Sequence, residues 1–296
     1  MLIVPPRRQG LLVGGLLALI TLLLDGFWLW QLLDWPITFL SFVQAALVLL
    51  SIPWLILLFY WLYGLASLRY HLDRNRLFVR WGATWQVIPL PAVERTVVGV
   101  RLVSPASYRG AWWPGYWAGR GTVEGVGTTL FYASRPLARQ IVLVTPTTAY
   151  ALSPPDPEAF LRELAHRRSM GPTQAVAQTS HRPAWVDWPI LHDKSAQGFL
   201  ALGILTGAML FARLCGRYPA LPDRVAFHFD AQGQVDRIGQ RAELFILPVI
   251  GWFVLAVNQI LGLWLYRRER VGAYLMWGSV VAVHVLLWLA LAQLTG

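Results

Sequence analysis

Residues 37–63 read ITFLSFVQAALVLLSIPWLILLFYWLY, a stretch without one charged side chain. A helix rises about 1.5 Å per residue, so about 20 apolar residues cross a hydrocarbon core of about 30 Å. Four further apolar runs are long enough, at residues 11–33, 196–215, 244–266 and 271–294. The pattern predicts a membrane protein with about five transmembrane helices.

The overall composition favours the same class. Hydrophobic residues make up 56% of the 296 positions and charged residues only 14%, whereas about a quarter of a soluble domain is charged. The 16 Trp residues suit a bilayer, because Trp and Tyr concentrate at its two interfaces. Arg7 and Arg8 precede the first run without a small-residue cleavage site after it, which favours an uncleaved signal anchor.

The distribution of arginine predicts the orientation. Residues 67–195 carry 15 Lys or Arg against eight Asp or Glu, and the turn at residues 267–270 reads RRER. Cytoplasmic loops are enriched in Lys and Arg. We therefore expect a multi-pass protein of a bacterial inner membrane with the N-terminus and residues 67–195 in the cytoplasm. The segment 216–243 and the C-terminus are then extracytoplasmic, although that segment holds four Arg beside its four acidic residues.

The chain between the second and third runs predicts a β-rich domain. Residues 67–73 and 76–81 alternate in polarity around a turn, which is typical of a hairpin. Further segments rich in β-branched and aromatic residues lie at 84–89, 129–133, 140–145 and 148–152. Asp156 and Pro157 then fit the start of an amphipathic helix. The expected domains are a transmembrane hairpin (1–66), the β domain (67–170), a polar linker (171–195) and a three-span membrane domain (196–296).

Several motifs of the β domain resemble the bacterial pleckstrin-homology-like family. They are YHLDRNRLFVRWG at 70–82, VIPLPAVER at 87–95, GTTLFYAS at 127–134, IVLVT at 141–145 and YALSPPDPEAF at 150–160. The resemblance implies two opposed antiparallel sheets closed by a C-terminal helix. It also implies a scaffold that binds peptides or headgroups and does not catalyse a reaction.

A second resemblance lies in the segment 216–243. Residues 218–239, YPALPDRVAFHFDAQGQVDRIG, are similar to an uncharacterised segment of bacterial membrane proteins such as the SdpI-type immunity and signalling proteins. Five residues match its spacing, namely Leu221, Pro222, His228, Gly233 and Asp236, while Ala226 stands where that segment usually has Pro.

The same segment holds a candidate binding site. His228, Asp230 and Asp236 are candidate binding residues, and Gly233 permits a tight turn between them. Their spacing matches no defined metal motif, so hydrogen bonds that shape the loop are favoured over a metal site.

Other motifs weigh against several function classes. Residues 110–127 are rich in Gly but lack the Gly-Lys-Ser/Thr ending of a phosphate-binding loop, so we expect a long loop and no nucleotide. No nucleophile, base and acid are arranged as in an enzyme, and neither a cofactor nor nucleic acid is expected.

Polar residues within the apolar runs are the basis for an alternative function as a transporter or membrane enzyme. Asn258 and His284 are candidate intramembrane site residues, and Asp25 and Gln44 are further polar exceptions. Proton or ion pathways need a chain of such groups. The favoured function is a membrane-anchored binding, sensing or adaptor protein, with the lipid bilayer and a protein as partners. The alternatives are a transporter or membrane enzyme, or an SdpI-like immunity or signalling protein.

Overall fold

The computed structural model describes residues 1–34, 36–184, 188–229 and 235–295, without the side chains of 228, 229, 235 and 236. It divides into two compact units. Unit 1 comprises residues 1–24 and 51–186, and unit 2 comprises residues 25–50 and 187–296.

The described chain forms six α-helices: α1 (Arg8–Asp34), α2 (Phe39–Ser67), α3 (Pro157–Ser169), α4 (Lys194–Arg217), α5 (Ile246–Tyr266) and α6 (Arg270–Thr295). All except α3 are long and apolar enough to cross a membrane. At most 28% of each apolar window is buried inside the protein, so these helices turn most of their apolar surface outward to lipid. The chain is a multi-pass membrane protein, and the five expected spans are confirmed.

Unit 1 contains two β-sheets and helix α3. Its strands are β1 (Leu2–Ile3), β2 (Arg69–Leu72), β3 (Arg76–Trp81), β4 (Thr84–Pro89), β5 (Arg95–Val98), β6 (Arg109–Trp113), β7 (Tyr116–Val123), β8 (Gly127–Ala133), β9 (Ile141–Val144), β10 (Ala149–Leu152) and β11 (Thr179–His181). The first sheet has the order β1-β2-β3-β4-β11, and the second has the order β5-β9-β10-β8-β7-β6.

Local sequence signals explain these elements. The Asp73 carboxylate accepts hydrogen bonds from the backbone amides of Asn75 and Arg76 and so closes the β2–β3 turn. At the start of α3, the Asp156 carboxylate caps the helix by accepting from the amide of Ala159 at 2.9 Å. The apolar face of α3 is buried in the core at Phe160. The expected two sheets closed by a helix are confirmed.

The structure differs from the sequence-based expectations in three places. Strand β10 pairs with β8 in parallel, whereas the other pairs of both sheets are antiparallel. The stretch 110–127, expected to be a loop, instead forms most of β6 and β7 and the turns beside them. Strands β6 and β7 can pair because Gly110 and Gly119 lie opposite each other. A Cβ on either glycine would come within 2.7 Å of the other's Cα, so a larger residue would not fit there. Part of the expected linker forms β11, which pairs with β4.

The core of unit 1 includes side chains of the membrane helices. Leu58 and Leu65 of α2 are fully buried in one cluster with Tyr70 and Leu152 of the two sheets. Gly64 permits close approach of α2 to β3, because a Cβ at this position would lie 2.4 Å from the Trp81 indole. The sheets therefore pack directly on the helices, without a flexible linker between β2 and α2.

Unit 2 contains helices α4, α5 and α6 and a hairpin of β12 (Arg224–Phe229) and β13 (Val235–Gln240). Glycines let the helices approach: a Cβ on Gly203 would lie 2.8 Å from Leu255, and one on Gly262 would meet Trp277. Small residues serve this purpose at many membrane helix interfaces.

Candidate binding sites

Unit 1 contains a cavity that combines arginines with aromatic side chains. We call it the arginine–aromatic cavity; its volume is about 340 Å³, and its lining includes Tyr60, Trp81, Arg109, Arg120, Tyr132 and Arg182. Residues from α2, from both sheets and from the segment after β11 thus meet at one place. No Asp or Glu is among the described residues that line it.

The floor of this cavity is held in a fixed shape. The rings of Tyr60 and Trp81 meet edge to face with centroids 5.4 Å apart. The Trp81 indole donates to the Tyr116 hydroxyl at 2.7 Å, and the Gln86 amide donates to the Tyr132 hydroxyl at 3.0 Å. Burial raises the pKa of Tyr132 to about 12, so its hydroxyl stays neutral at physiological pH.

The rim carries positive charge that no described carboxylate of the lining compensates. Arg109 and Arg120 are directly opposite each other on β6 and β7, and Arg182 lines the same cavity. All three side chains are exposed, and the ion pairs found in the described chain involve other arginines. Like charges opposite each other destabilise a sheet. The arrangement is therefore complementary to a negatively charged ligand.

The sequence did not point to these residues. Arg109 and Arg120 lie in the stretch expected to be a loop, and Arg182 lies in the expected linker. Each is one of 24 arginines, and only the pairing of β6 with β7 and of β11 with β4 brings the three together.

The site expected in the segment 216–243 is described only in part. Strands β12 and β13 are antiparallel with a bulge, and the backbone of His228 lies opposite Arg237, next to Asp236. Asp230 and Gly233, and the side chains of His228 and Asp236, lie outside the described residues. Their binding role remains a prediction.

The two intramembrane candidates are not brought together by hydrogen bonds. The His284 ring is buried, with Nδ1 2.7 Å from the Thr206 hydroxyl of α4. Its Nε2 has no partner within the described chain. Asn258 instead donates to the carbonyl of Val254, one turn earlier in its own helix. Elsewhere, Gln44 donates to Gln31 at 2.6 Å.

Comparison with protein families assigns two segments of the chain. Residues 68–168 match the model of the bacterial PH domain, so this match contains β2 to β10 and nearly all of α3. The chain carries a bacterial PH domain. Residues 204–251 match a domain of unknown function, DUF1648, which is found in SdpI-type membrane proteins. Both resemblances are thereby confirmed. No curated protein and no solved structure matches the chain.

The arginine–aromatic cavity extends beyond the matched PH domain. Tyr60 belongs to α2 and Arg182 follows β11, so both lie outside residues 68–168. The lining of this cavity thus includes a residue of the membrane helix before the PH domain and a residue just after the strand β11 that follows the domain. Among the described residues, no cluster of three or more His, Cys, Asp or Glu side chains could hold a metal ion.

Proposed function

We propose that the chain is a membrane-anchored adaptor whose cytoplasmic PH domain binds an acidic segment of a protein partner in the arginine–aromatic cavity. The observation that carries this proposal is the placement of Arg109, Arg120 and Arg182 over an aromatic floor, with no carboxylate among the described lining residues. This proposal assigns binding, and no catalytic step, to the PH domain.

The chemistry of the cavity favours a peptide with carboxylates. Arginine forms bidentate, charge-assisted hydrogen bonds with carboxylates, and a bound acid would relieve the repulsion between Arg109 and Arg120. The faces of Tyr60 and Trp81 offer apolar contact to neighbouring side chains of the same peptide. Because Tyr60 is part of α2, a partner held here would be held at the membrane.

The charge distribution supports the cytoplasmic orientation. Arg7 and Arg8 lie at the start of α1, fifteen Lys or Arg lie between residues 67 and 195, and residues 267–270, where α5 gives way to α6, include three arginines. Positive charge on these three segments favours their retention in the cytoplasm. The DUF1648 hairpin β12–β13 would then face outward, as expected for a protein that senses an external event.

Two other functions stay as alternatives. The DUF1648 match favours an immunity or signalling role of the SdpI type. A transporter or membrane enzyme would use His284, whose Nε2 is buried without a partner among the described groups. Asn258 bonds to its own helix, which does not favour a joint site with His284.

Binding of a labelled Glu-rich peptide to the purified full-length protein tests the proposal. The Arg109→Gln/Arg120→Gln variant should lose most of the peptide affinity. A matched control, Arg69→Gln/Arg80→Gln, removes an equally spaced cross-strand pair that does not line the cavity and should bind as the wild type does. Equal loss in both variants, or no loss in either, would contradict a peptide site in this cavity.

Stability gives a second readout. Removing the like-charged pair removes a repulsion of about 0.2–1 kcal/mol. The melting temperature should therefore stay unchanged or rise. A clear decrease would mean that Arg109 and Arg120 have a structural role instead of a binding role. Cross-linking in cells, followed by purification of wild type and both variants, then identifies the partner that depends on this pair.

A further inference from the structure

A second cavity of unit 1 lies where helix α1 begins. Its volume is about 640 Å³, and four arginines contribute to its lining: Arg7, Arg8, Arg135 and Arg139. We propose that this cavity binds the phosphate of an anionic phospholipid headgroup. We call it the headgroup cavity.

The four guanidinium groups come from two distant parts of the chain. Arg7 and Arg8 precede or begin α1, whereas Arg135 and Arg139 lie between β8 and β9. Their meeting is a product of the fold, and two of the four lie outside the matched PH domain.

Two of these side chains donate hydrogen bonds to backbone carbonyls, and the other two have no ion-pair partner among the described residues. Arg7 donates to the carbonyl of Ala66, and Arg135 donates to the carbonyl of Pro155 at 3.0 Å. Arg8 and Arg139 make no ion pair with any described residue. No Asp or Glu is among the lining residues described. Four arginines thus line one cavity, and the described lining holds no acidic side chain to neutralise them, which is the composition that an anion requires.

The start of α1 adds to this positive field. The first backbone amides of a helix lack partners within that helix, and its dipole places partial positive charge there. Pro5 and Pro6 line the same cavity just before the helix. The helix end alone would not define a site, but here its first residues, Arg8 and Gln9, line the same cavity as Arg7, Arg135 and Arg139.

The depth of the cavity in the membrane favours a lipid over a soluble anion. Leu12 is 74% exposed, and Leu16 and Leu19 are also exposed, so the lipid-facing surface of α1 begins one turn after Arg8. Four residues of helix correspond to about 6 Å. This distance from the lipid-facing surface is the one expected for the phosphate layer of a bilayer, where an anionic lipid is present at high local concentration.

This site is independent of the proposed peptide site. The headgroup and arginine–aromatic cavities have no lining residue in common within the part of the chain that the structure describes. The inference also holds for either orientation of the chain, since both leaflets carry phosphate groups at this depth. It goes beyond the adaptor function by assigning a lipid ligand to the first membrane helix.

Native mass spectrometry of the purified full-length protein tests the inference. The protein in mild detergent is titrated with dioleoyl phosphatidylglycerol, with dioleoyl phosphatidylcholine, and with inorganic phosphate as a soluble competitor. The test variants are Arg135→Gln/Arg139→Gln and Arg139→Gln alone. Arg139 makes no side-chain hydrogen bond within the described part of the chain, so its single variant should keep the fold. The matched control, Arg101→Gln/Arg162→Gln, removes the same charge from exposed positions outside the cavity.

We expect the wild type and the control to retain phosphatidylglycerol in preference to phosphatidylcholine. The double variant should bind phosphatidylglycerol about 30-fold more weakly, and the single variant by an intermediate amount. Equal losses in the test and control variants would show general charge attraction and overturn the site. Binding of inorganic phosphate without phosphatidylglycerol would overturn the lipid assignment in favour of a soluble anion. Equal retention of the two lipids would overturn it as well. The Glu-rich peptide should bind normally to the test variants, which separates this inference from the proposed function.

Discussion

The indole nitrogen of Trp113 donates a hydrogen bond of 2.9 Å to the backbone carbonyl of Gly10. Trp113 ends β6, and Pro114-Gly115 form the turn to β7, where Gly115 has φ of +84°. Pro at the first central position and Gly at the second are typical of a type II turn. A Cβ on Gly10 would lie 2.3 Å from the Gly115 carbonyl oxygen. Two glycines therefore let the hairpin tip of the PH domain rest on the backbone of α1.

Gly10→Ala should loosen this contact. The added methyl group cannot fit without moving the hairpin tip, and such overpacking costs about 1–3 kcal/mol. Gly15→Ala in the same helix is the matched control, since a Cβ there meets nothing within 4 Å. Thermal unfolding of the two purified variants, with proteolysis of the β6–β7 hairpin, checks the prediction. Identical melting temperatures for both variants would contradict it.

Asp193 should make unit 2 sensitive to acid. Its carboxylate accepts from the hydroxyls of Tyr266 and Tyr274 and from the amides of Ser195 and Ala196 at the start of α4. The hydrogen bond from Tyr266, followed by that from Tyr274, lowers the pKa of Asp193 to about 2. An unfolded Asp has a pKa of about 3.9.

Because the folded pKa is the lower one, ionised Asp193 stabilises the fold above about pH 4, and this contribution disappears as the pH falls toward 2. The melting temperature of the wild type should therefore exceed that of Asp193→Ala at neutral pH. The difference should shrink between about pH 4 and pH 2. A difference that stays constant over this range would show that the charge of Asp193 contributes nothing.

The hydrogen bond between Thr206 and His284 should stabilise the packing of α4 on α6. Thr206→Val keeps the shape of the side chain but leaves both ring nitrogens of buried His284 without a partner in the described structure. Interhelical bonds of this kind are worth about 1 kcal/mol. Ser279→Ala on α6 is the control, because that hydroxyl bonds only to the Met276 carbonyl of its own helix. Melting temperatures in detergent should fall for the first variant and change little for the second.

Cysteine labelling tests the orientation. The sole cysteine, Cys215, is buried and can be replaced by Ala. In that background, Ile238→Cys on β13 and Gln174→Cys before β11 place single thiols at exposed positions. A membrane-impermeant maleimide should label residue 238 in intact cells and residue 174 only after lysis. Labelling of residue 174 in intact cells would reverse the orientation.

The elements that follow a local pattern could be predicted from the sequence. The β2–β3 hairpin with Asp73 at its turn and the capped helix α3 are where the sequence places them, because their signals lie within a few residues of each other. Strand β11 could not be predicted, since Thr179–His181 is short and exposed and exists through its pairing with β4. The sequence does not predict the hairpin β6–β7, because its glycines are typical of a loop, although here they permit close approach of paired strands.

The amino-acid sequence alone establishes that the chain spans a membrane several times, because the apolar length of each span is a property of consecutive residues. It also determined the PH domain through motifs of adjacent residues. Which arginines share a cavity depends on the tertiary structure, since Arg8 and Arg139 line one cavity and Arg109 and Arg182 line another, although long stretches of chain separate the members of each pair. The sequence shows which residues are charged, but the electrostatic field at a site depends on the distances between those charges. Those distances are set by the packing of sheets on helices.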